Sequence, residues 1–297
     1  MLDKLKKLHT FSNSWTGTIV IVLLAIFFLA QAFVIPSGSM KRTYLIGDYL
    51  LVKKFSYGVP IPHIPGILGL PEIQVLPDFF GNGHLLEGDK PERGDIVVFR
   101  YPHNPSIHYV KRCVALGGDT IKLRNKDLYL KPREGNEYVR KNYPEELIVD
   151  EEGVLWVKNP YLHAHAGVTH DENVQQSYTI FPTEYFDYGP EVVPEGNFFM
   201  MGDNREHSND SRAWGSVPYE FIVGTPWITY LSWENRSYEE VLNGSLHSSY
   251  DHVDLKKVCG ELMITSPKCK EVWEENMYKI RWERMFKTPD GLEDLVR

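Results

Sequence analysis

Arg93-Gly94-Asp95-Ile96-Val97-Val98-Phe99 and Ile107-His108-Tyr109-Val110-Lys111-Arg112-Cys113-Val114-Ala115-Leu116 decide the fold. Both runs are rich in β-branched and aromatic residues and are bounded by turn residues, Gly94-Asp95 before the first and Gly117-Gly118-Asp119 after the second, which predicts two strands of one meander. Alternation along the second strand sets Tyr109, Lys111 and Cys113 on one face and Val110, Arg112 and Val114 on the other. Working outward, strands are expected over 49–52, 120–123, 128–130, 197–201 and 221–231, and the alternation in 278–286 predicts a last one. Residues 131–190 are more polar and irregular. The expected fold class is mainly β: an N-terminal transmembrane helix and an all-β body with a smaller inserted β-rich region.

Bulk properties agree with this. The 297 residues are 42% hydrophobic and 24% charged, a folded composition. The 19 prolines, 23 glycines and 17 tyrosines suit a turn-rich β body. A net charge of −8 with interspersed signs offers no basic face, so no nucleic acid is expected. Of the three cysteines, Cys113 lies in an apolar strand and reads as a small buried hydrophobe, whereas Cys259 and Cys269 are close enough in sequence to pair in an oxidising compartment.

Before the body comes the chain's long apolar run. Residues 1–14 carry Lys4, Lys6 and Lys7, and residues 15–35 carry no formal charge. About 20 apolar residues in a helix cross a bilayer core, so 15–35 is expected to be an anchor. The Ala30-Gln31-Ala32 site of a cleavable signal peptide is present too, but the apolar character continues through Phe33-Val34-Ile35. Lys41, Arg42, Lys53 and Lys54 nearly balance the flanking charges, and the basic leader favours an N-inside orientation with an extracytoplasmic body. The proline-rich apolar stretch 59–80 reads either as a loop packed on the core or as a segment dipping into lipid. The expected division is a cytoplasmic leader (1–14), an anchor (15–35), a core in two parts (36–130 and 191–235), an insertion (131–190) and a C-terminal extension (236–297).

Several familiar chemistries are absent from the sequence. It has no Gly-x-Ser-x-Gly elbow, no Ser-x-x-Lys, no nucleotide-binding glycine loop and no His-Glu-x-x-His. His163, His165, His170 and Asp171 match no zinc spacing and read as a solvated loop. No metal or cofactor is expected. Pro36-Ser37-Gly38-Ser39-Met40, directly behind the apolar run, reads by itself as an exit turn that can present a hydroxyl. A serine can use a lysine as its base only if burial lowers the lysine pKa. Lys111, inside an apolar strand, is placed for that, although lone strand lysines also serve merely to discourage aggregation. The third piece is Met201-Gly202-Asp203-Asn204-Arg205-Glu206-His207-Ser208-Asn209-Asp210-Ser211-Arg212-Ala213-Trp214-Gly215. Its density of Asp, Asn, Ser and Arg suits a hydrogen-bonded platform, with Asp210 and Arg212 as a charge-assisted pair. A calcium loop is the alternative, but the acidic spacing is not that of an EF-hand.

In this order, the apolar segment, Ser-Gly-Ser-Met, the strand lysine and the Gly-Asp-Asn-Arg loop resemble the bacterial type I signal peptidases (leader peptidases). The resemblance covers 36–44, 47–58, 93–119 and 200–218. It implies a membrane-anchored serine endopeptidase that cuts signal peptides from exported preproteins after small residues. Ser39 would be the nucleophile and Lys111 the general base. The Ser37 hydroxyl and the Ser39 N–H would form the oxyanion hole, Ser208 would orient the lysine, and Asp210, Arg212 and Tyr109 would support it. It implies no cofactor, and preproteins and membrane lipid as partners. The expected form is a single-pass, monomeric protein of the inner (cytoplasmic) membrane, with its N-terminus in the cytoplasm. The family's usual Pro-Thr-Leu is replaced here by Arg42-Thr43-Tyr44, which bears on the local turn. A Ser–Lys self-cleaving repressor is disfavoured by the anchor and by the lack of a helix-turn-helix pattern. A non-catalytic tethered β domain that binds exported proteins is the alternative from another class.

Overall fold

The computed structural model describes residues 6, 10–28, 30–61, 63–64, 73–74, 76–170, 186–233, 266–276 and 280–296. After an N-terminal helix, Trp15–Phe28, come β1 (Ala30–Val34), β2 (Asp48–Lys53), β3 (Gly58–Pro60), β4 (His63–Ile64), β5 (Ile73–Gln74) and β6 (His84–Glu87). The middle of the chain supplies β7 (Ile96–Tyr101), β8 (Asn104–Leu116), β9 (Thr120–Arg124), β10 (Asp127–Lys131), β11 (Ile148–Glu151) and β12 (Val154–Lys158). The last four are β13 (Tyr188–Val192), β14 (Asn197–Met201), β15 (Val217–Pro218) and β16 (Ile222–Ser232). Among the described residues the body is mainly β, as expected.

A seven-stranded sheet runs β1-β2-β16-β7-β8-β14-β15, and a five-stranded sheet runs β11-β12-β10-β9-β13. Strand β8, 13 residues long, lies inside the first sheet. It pairs with β7 on one side (Val97 opposite Lys111) and with β14 on the other (Met201 opposite Arg112). Its alternation holds in three dimensions. Tyr109 and Cys113 pack with Val97, Phe99 and Met200 on one face. On the other, Val114 and Phe199 meet Ile121, Leu123 and Leu128 of the second sheet. A third cluster, Ile35, Met40, Tyr44, Leu50, Ile96 and Leu292, ties the segment after β1 and the C-terminal helix (Pro289–Glu293) to the first sheet.

Two expectations need correction. Residues 15–35 do not form one helix: the helix ends at Phe28, and Ala30–Val34 is a strand paired antiparallel with β2, Phe33 opposite Leu50. Its 14 residues span about 21 Å, less than the ~30 Å of a bilayer core, and among the described residues no helix is long and apolar enough to cross a membrane. An apolar sequence is compatible with either conformation. Here the edge of β2 carries backbone groups that need partners, and β1 supplies them. The second correction concerns 278–286, where the described residues form no strand but a single 3₁₀ turn, Trp282–Arg284. Arg281 and Arg284, three apart, both turn inward: Arg284 Nη2 lies 2.7 Å from Asp48 Oδ2, and Arg281 Nη2 lies 3.7 Å from Asp48 Oδ1. Pairing both with one buried aspartate requires helical spacing rather than alternation. Cys113 is a free, buried thiol and Cys269 is disulfide-bonded; Cys259 lies outside the described residues.

Candidate active site

Strand β1 leads straight into the serine-bearing turn. Ile35 closes it against β2, its N–H donating to Asp48 C=O at 2.9 Å while its own C=O accepts from Gly47 N–H at 3.1 Å. Gly38–Met40 is then a 3₁₀ turn, with Ser37 still extended before it. Two bonds from Asn204 hold the turn from below. Its N–H donates to the Ser39 carbonyl and its Nδ2 to the Gly38 carbonyl, both at 3.0 Å. Met40 is sealed into the core, which fixes which way its neighbour Ser39 faces.

Lys111 reaches that serine from β8. Its Nζ is in hydrogen-bond contact with Ser39 Oγ, and the side chain is 4% exposed. Burial lowers the Lys111 pKa from 10.5 to about 8. Asp210 and Asp203 oppose the shift and Arg212 adds to it. Its Nζ also lies 5.4 Å from the centre of the Tyr109 ring. Ser37 Oγ is 3.5 Å from Ser39 Oγ.

The Gly202–Arg212 loop is the floor of this site. Gly202 lies so close that a Cβ there would fall 2.2 Å from Ser208 Oγ and 2.5 Å from the Ser39 carbonyl oxygen. Ser208 is therefore packed under the same turn. Asp210 accepts from Arg212 Nε and Nη2, both at 2.8 Å, and from Gly202 N–H at 3.0 Å. Burial works against its charge, but Arg212 wins and holds the carboxyl below the usual range. The structure thus brings Ser37, Ser39, Lys111, Tyr109, Ser208, Asp210 and Arg212 into one neighbourhood. Of the histidines set aside, His165 meets Glu293 and His170 meets Glu206. Among the described residues, no cluster of three or more His, Cys, Asp or Glu side chains is placed to hold a metal.

Sequence reasoning missed several members. Asn204 and Asp203 lie in the motif, yet nothing local says that they serve Ser39 and Arg112. Thr43 Oγ1 donates to Asp203 Oδ2 at 2.6 Å, and Arg112 Nε and Nη2 grip both oxygens of Asp203 at 2.8 Å. One clue was available: a charged residue beside Lys111 in an apolar strand requires a buried partner. Above the serine a groove of about 320 Å³ opens, lined by Phe33, Ile35, Ser37, His108, Tyr109 and Val110 among others. Its walls come from the two segments flanking the Ser–Lys contact, so an extended chain lying in it would pass over Ser39.

Comparison with known proteins decides the family. Residues 8–231 match the model of the signal peptidase family, peptidase S26. The chain belongs to that family. This bears out the resemblance read from the sequence, and membership makes the chain a peptidase. Signal peptidase I of Helicobacter pylori strain J99 is 42% identical over 314 residues, covering 99% of this chain and 97% of the relative. Signal peptidase I of Pseudomonas aeruginosa is 36% identical over 260 residues, covering 82% and 81%. A crystal structure of a signal peptidase I from Enterococcus faecalis aligns with a TM-score of 0.29 at 27% identity, covering 46% of this chain and 97% of its own. The family match ends at 231, before the C-terminal residues that pack against Arg112 and Asp48.

Proposed function

We propose that the protein removes signal peptides from exported preproteins, using Ser39 as nucleophile and Lys111 as general base. The observation that carries this reading is the buried contact between Lys111 Nζ and Ser39 Oγ, with a lysine pKa near 8. With the amine neutral, the serine hydroxyl is the donor. Its proton passes to Lys111 as Oγ bonds to the scissile carbonyl carbon. The Ser37 hydroxyl and the Ser39 N–H stabilise the oxyanion. Lys111 then gives the proton to the departing amine as the C–N bond breaks, leaving an acyl-enzyme. Water attacks the ester, Lys111 takes a proton from it, and Ser39 is released with its hydroxyl restored.

The groove suits a substrate with small residues at its cleavage point, and Ile35, Met40 and Val110 line it together with Ser39. Ser208, Asp210, Arg212 and Tyr109 act as supports of the lysine. The substrate reaches the site at a lipid surface. The N-terminal helix is apolar and exposes Trp15, Ile19 and Ile21, and such a face in water is costly unless lipid covers it. We place the body at the lipid surface of the inner membrane, with 36–130 and 191–235 as catalytic core and 131–190 as an insertion. The test is direct. Purified protein is expected to cut a synthetic A-x-A precursor, and Ser39→Ala to leave it intact. Equal cleavage by the two would overturn the assignment.

A further inference from the structure

Glu293, in the short C-terminal helix, is 3% exposed, and it lies 181 residues from its partner Arg112, the neighbour of Lys111 in β8. Arg112 Nη2 donates to Glu293 Oε1 at 2.7 Å, and the same guanidinium holds both oxygens of Asp203 and donates from Nη1 to the Gly94 carbonyl at 2.7 Å. The other oxygen of Glu293 lies 3.3 Å from His165 Nδ1. Burial pushes its carboxyl upward, but His165 and Arg112 more than reverse this and keep it ionised. The preceding residue, Leu292, is fully buried in the cluster that contains Met40 and Ile35. One helical turn therefore presses on both partners of the Ser–Lys contact: the turn of Ser39 through Leu292, and the strand of Lys111 through Glu293.

We propose that Glu293 is a positioning residue for Lys111, holding Arg112 as its second carboxylate and balancing the buried charge around the base. The inference rests on the reading of Lys111 as the base. Asp203 and Asp210 face the lysine as anions and Arg212 as a cation. Arg205, fully buried, adds a third guanidinium to Arg112 and Arg212, and its pKa is lowered to about 10, by burial first. Glu206 is buried beside it with His170. Without the Glu293 charge, Arg112 has only Asp203 to offset it, and the surroundings of Lys111 become more positive. A more positive field disfavours the ammonium, so Lys111 should lose its proton at lower pH.

The test uses the full chain carrying Glu293→Gln, Glu293→Ala and Glu293→Asp. Lys111 is titrated by NMR of ¹³C-labelled lysine, and precursor cleavage is resolved into kcat and KM. Glu293→Gln is expected to lower the Lys111 midpoint by about half a unit, and Glu293→Asp to return it toward the parent value. Compared at a pH of about 9.5, where Lys111 is neutral in parent and variant alike, Glu293→Ala is expected to reduce kcat about fivefold or more with KM little changed. If the alanine variant does not fold, the isosteric glutamine variant carries the test. Folded variants with the parent's Lys111 midpoint and kcat would overturn the inference, as would losses that only track the unfolded fraction. Failure of the parent to cut any precursor would count against the proposed function instead, because the NMR titration decides the role of Glu293 without cleavage.

Discussion

Arg112 and Asp203 are joined by two parallel 2.8 Å bonds across 91 residues of sequence, and this pair locks the strand of Lys111 onto the loop beneath Ser39. Strand pairing explains how they meet. Met201 lies opposite Arg112 in the sheet, and the chain needs only Gly202 to bring Asp203 round to it. The proposed base and nucleophile are held in one rigid unit, because Asn204, next in the chain, carries the Ser39 carbonyl.

The proposed role of Lys111 as a base that must be neutral predicts the pH dependence. With Lys111 titrating at about 8, kcat/KM should rise with pH through that value and fall about tenfold per unit well below it. A pH–rate profile on a precursor checks this. An acid limb with its midpoint near 10, where an unburied lysine titrates, would contradict it.

The same burial weakens the fold at neutral pH. The folded pKa lies below the unfolded 10.5, so the unfolded chain binds more protons between about 8 and 10.5. Stability therefore rises with pH across that window, and the full penalty, about 3 kcal/mol, applies below it. Lys111→Met should stabilise the chain by about 2 kcal/mol at pH 7, after losing the serine contact, and by little at pH 11. Urea unfolding at the two pH values measures the difference.

Gly202 has no room for a side chain. Its Cβ would overlap Ser208 and the backbone oxygen of Ser39, so Gly202→Ala must displace the serine turn or the loop. We expect a loss of about 2 kcal/mol or more, with cleavage falling at least 100-fold, since small misplacements at a reacting centre are costly. Unfolding and rate measurements on this variant should move together.

Arg42 stands where the family usually has proline, and it adopts φ = 77°, a left-handed conformation closed to proline. Arg42→Pro should therefore destabilise by about 2 kcal/mol, although it restores the common motif. Arg42→Gly should be neutral to within about 1 kcal/mol. A stabilising Arg42→Pro in thermal unfolding would show that the turn is held differently.

Much of the site was legible because it rests on local rules. Period-two alternation assigned Lys111 and Cys113 to one face of β8 and Val114 to the other, and a lysine in an apolar strand already implied a lowered pKa. Asp210 and Arg212, two apart, were readable as a pair. What stayed hidden depends on chain closure. Nothing near Ser39 names Asn204, and nothing near Arg112 names Glu293, because bonds spanning 91 to 181 residues exist only once the sheet has set the distances. The apolar run 15–35 shows the same divide. Hydrophobicity alone specified burial or lipid contact for it. The open edge of β2 decided that Ala30–Val34 would be a strand, because backbone groups there needed partners that only a neighbouring strand could supply.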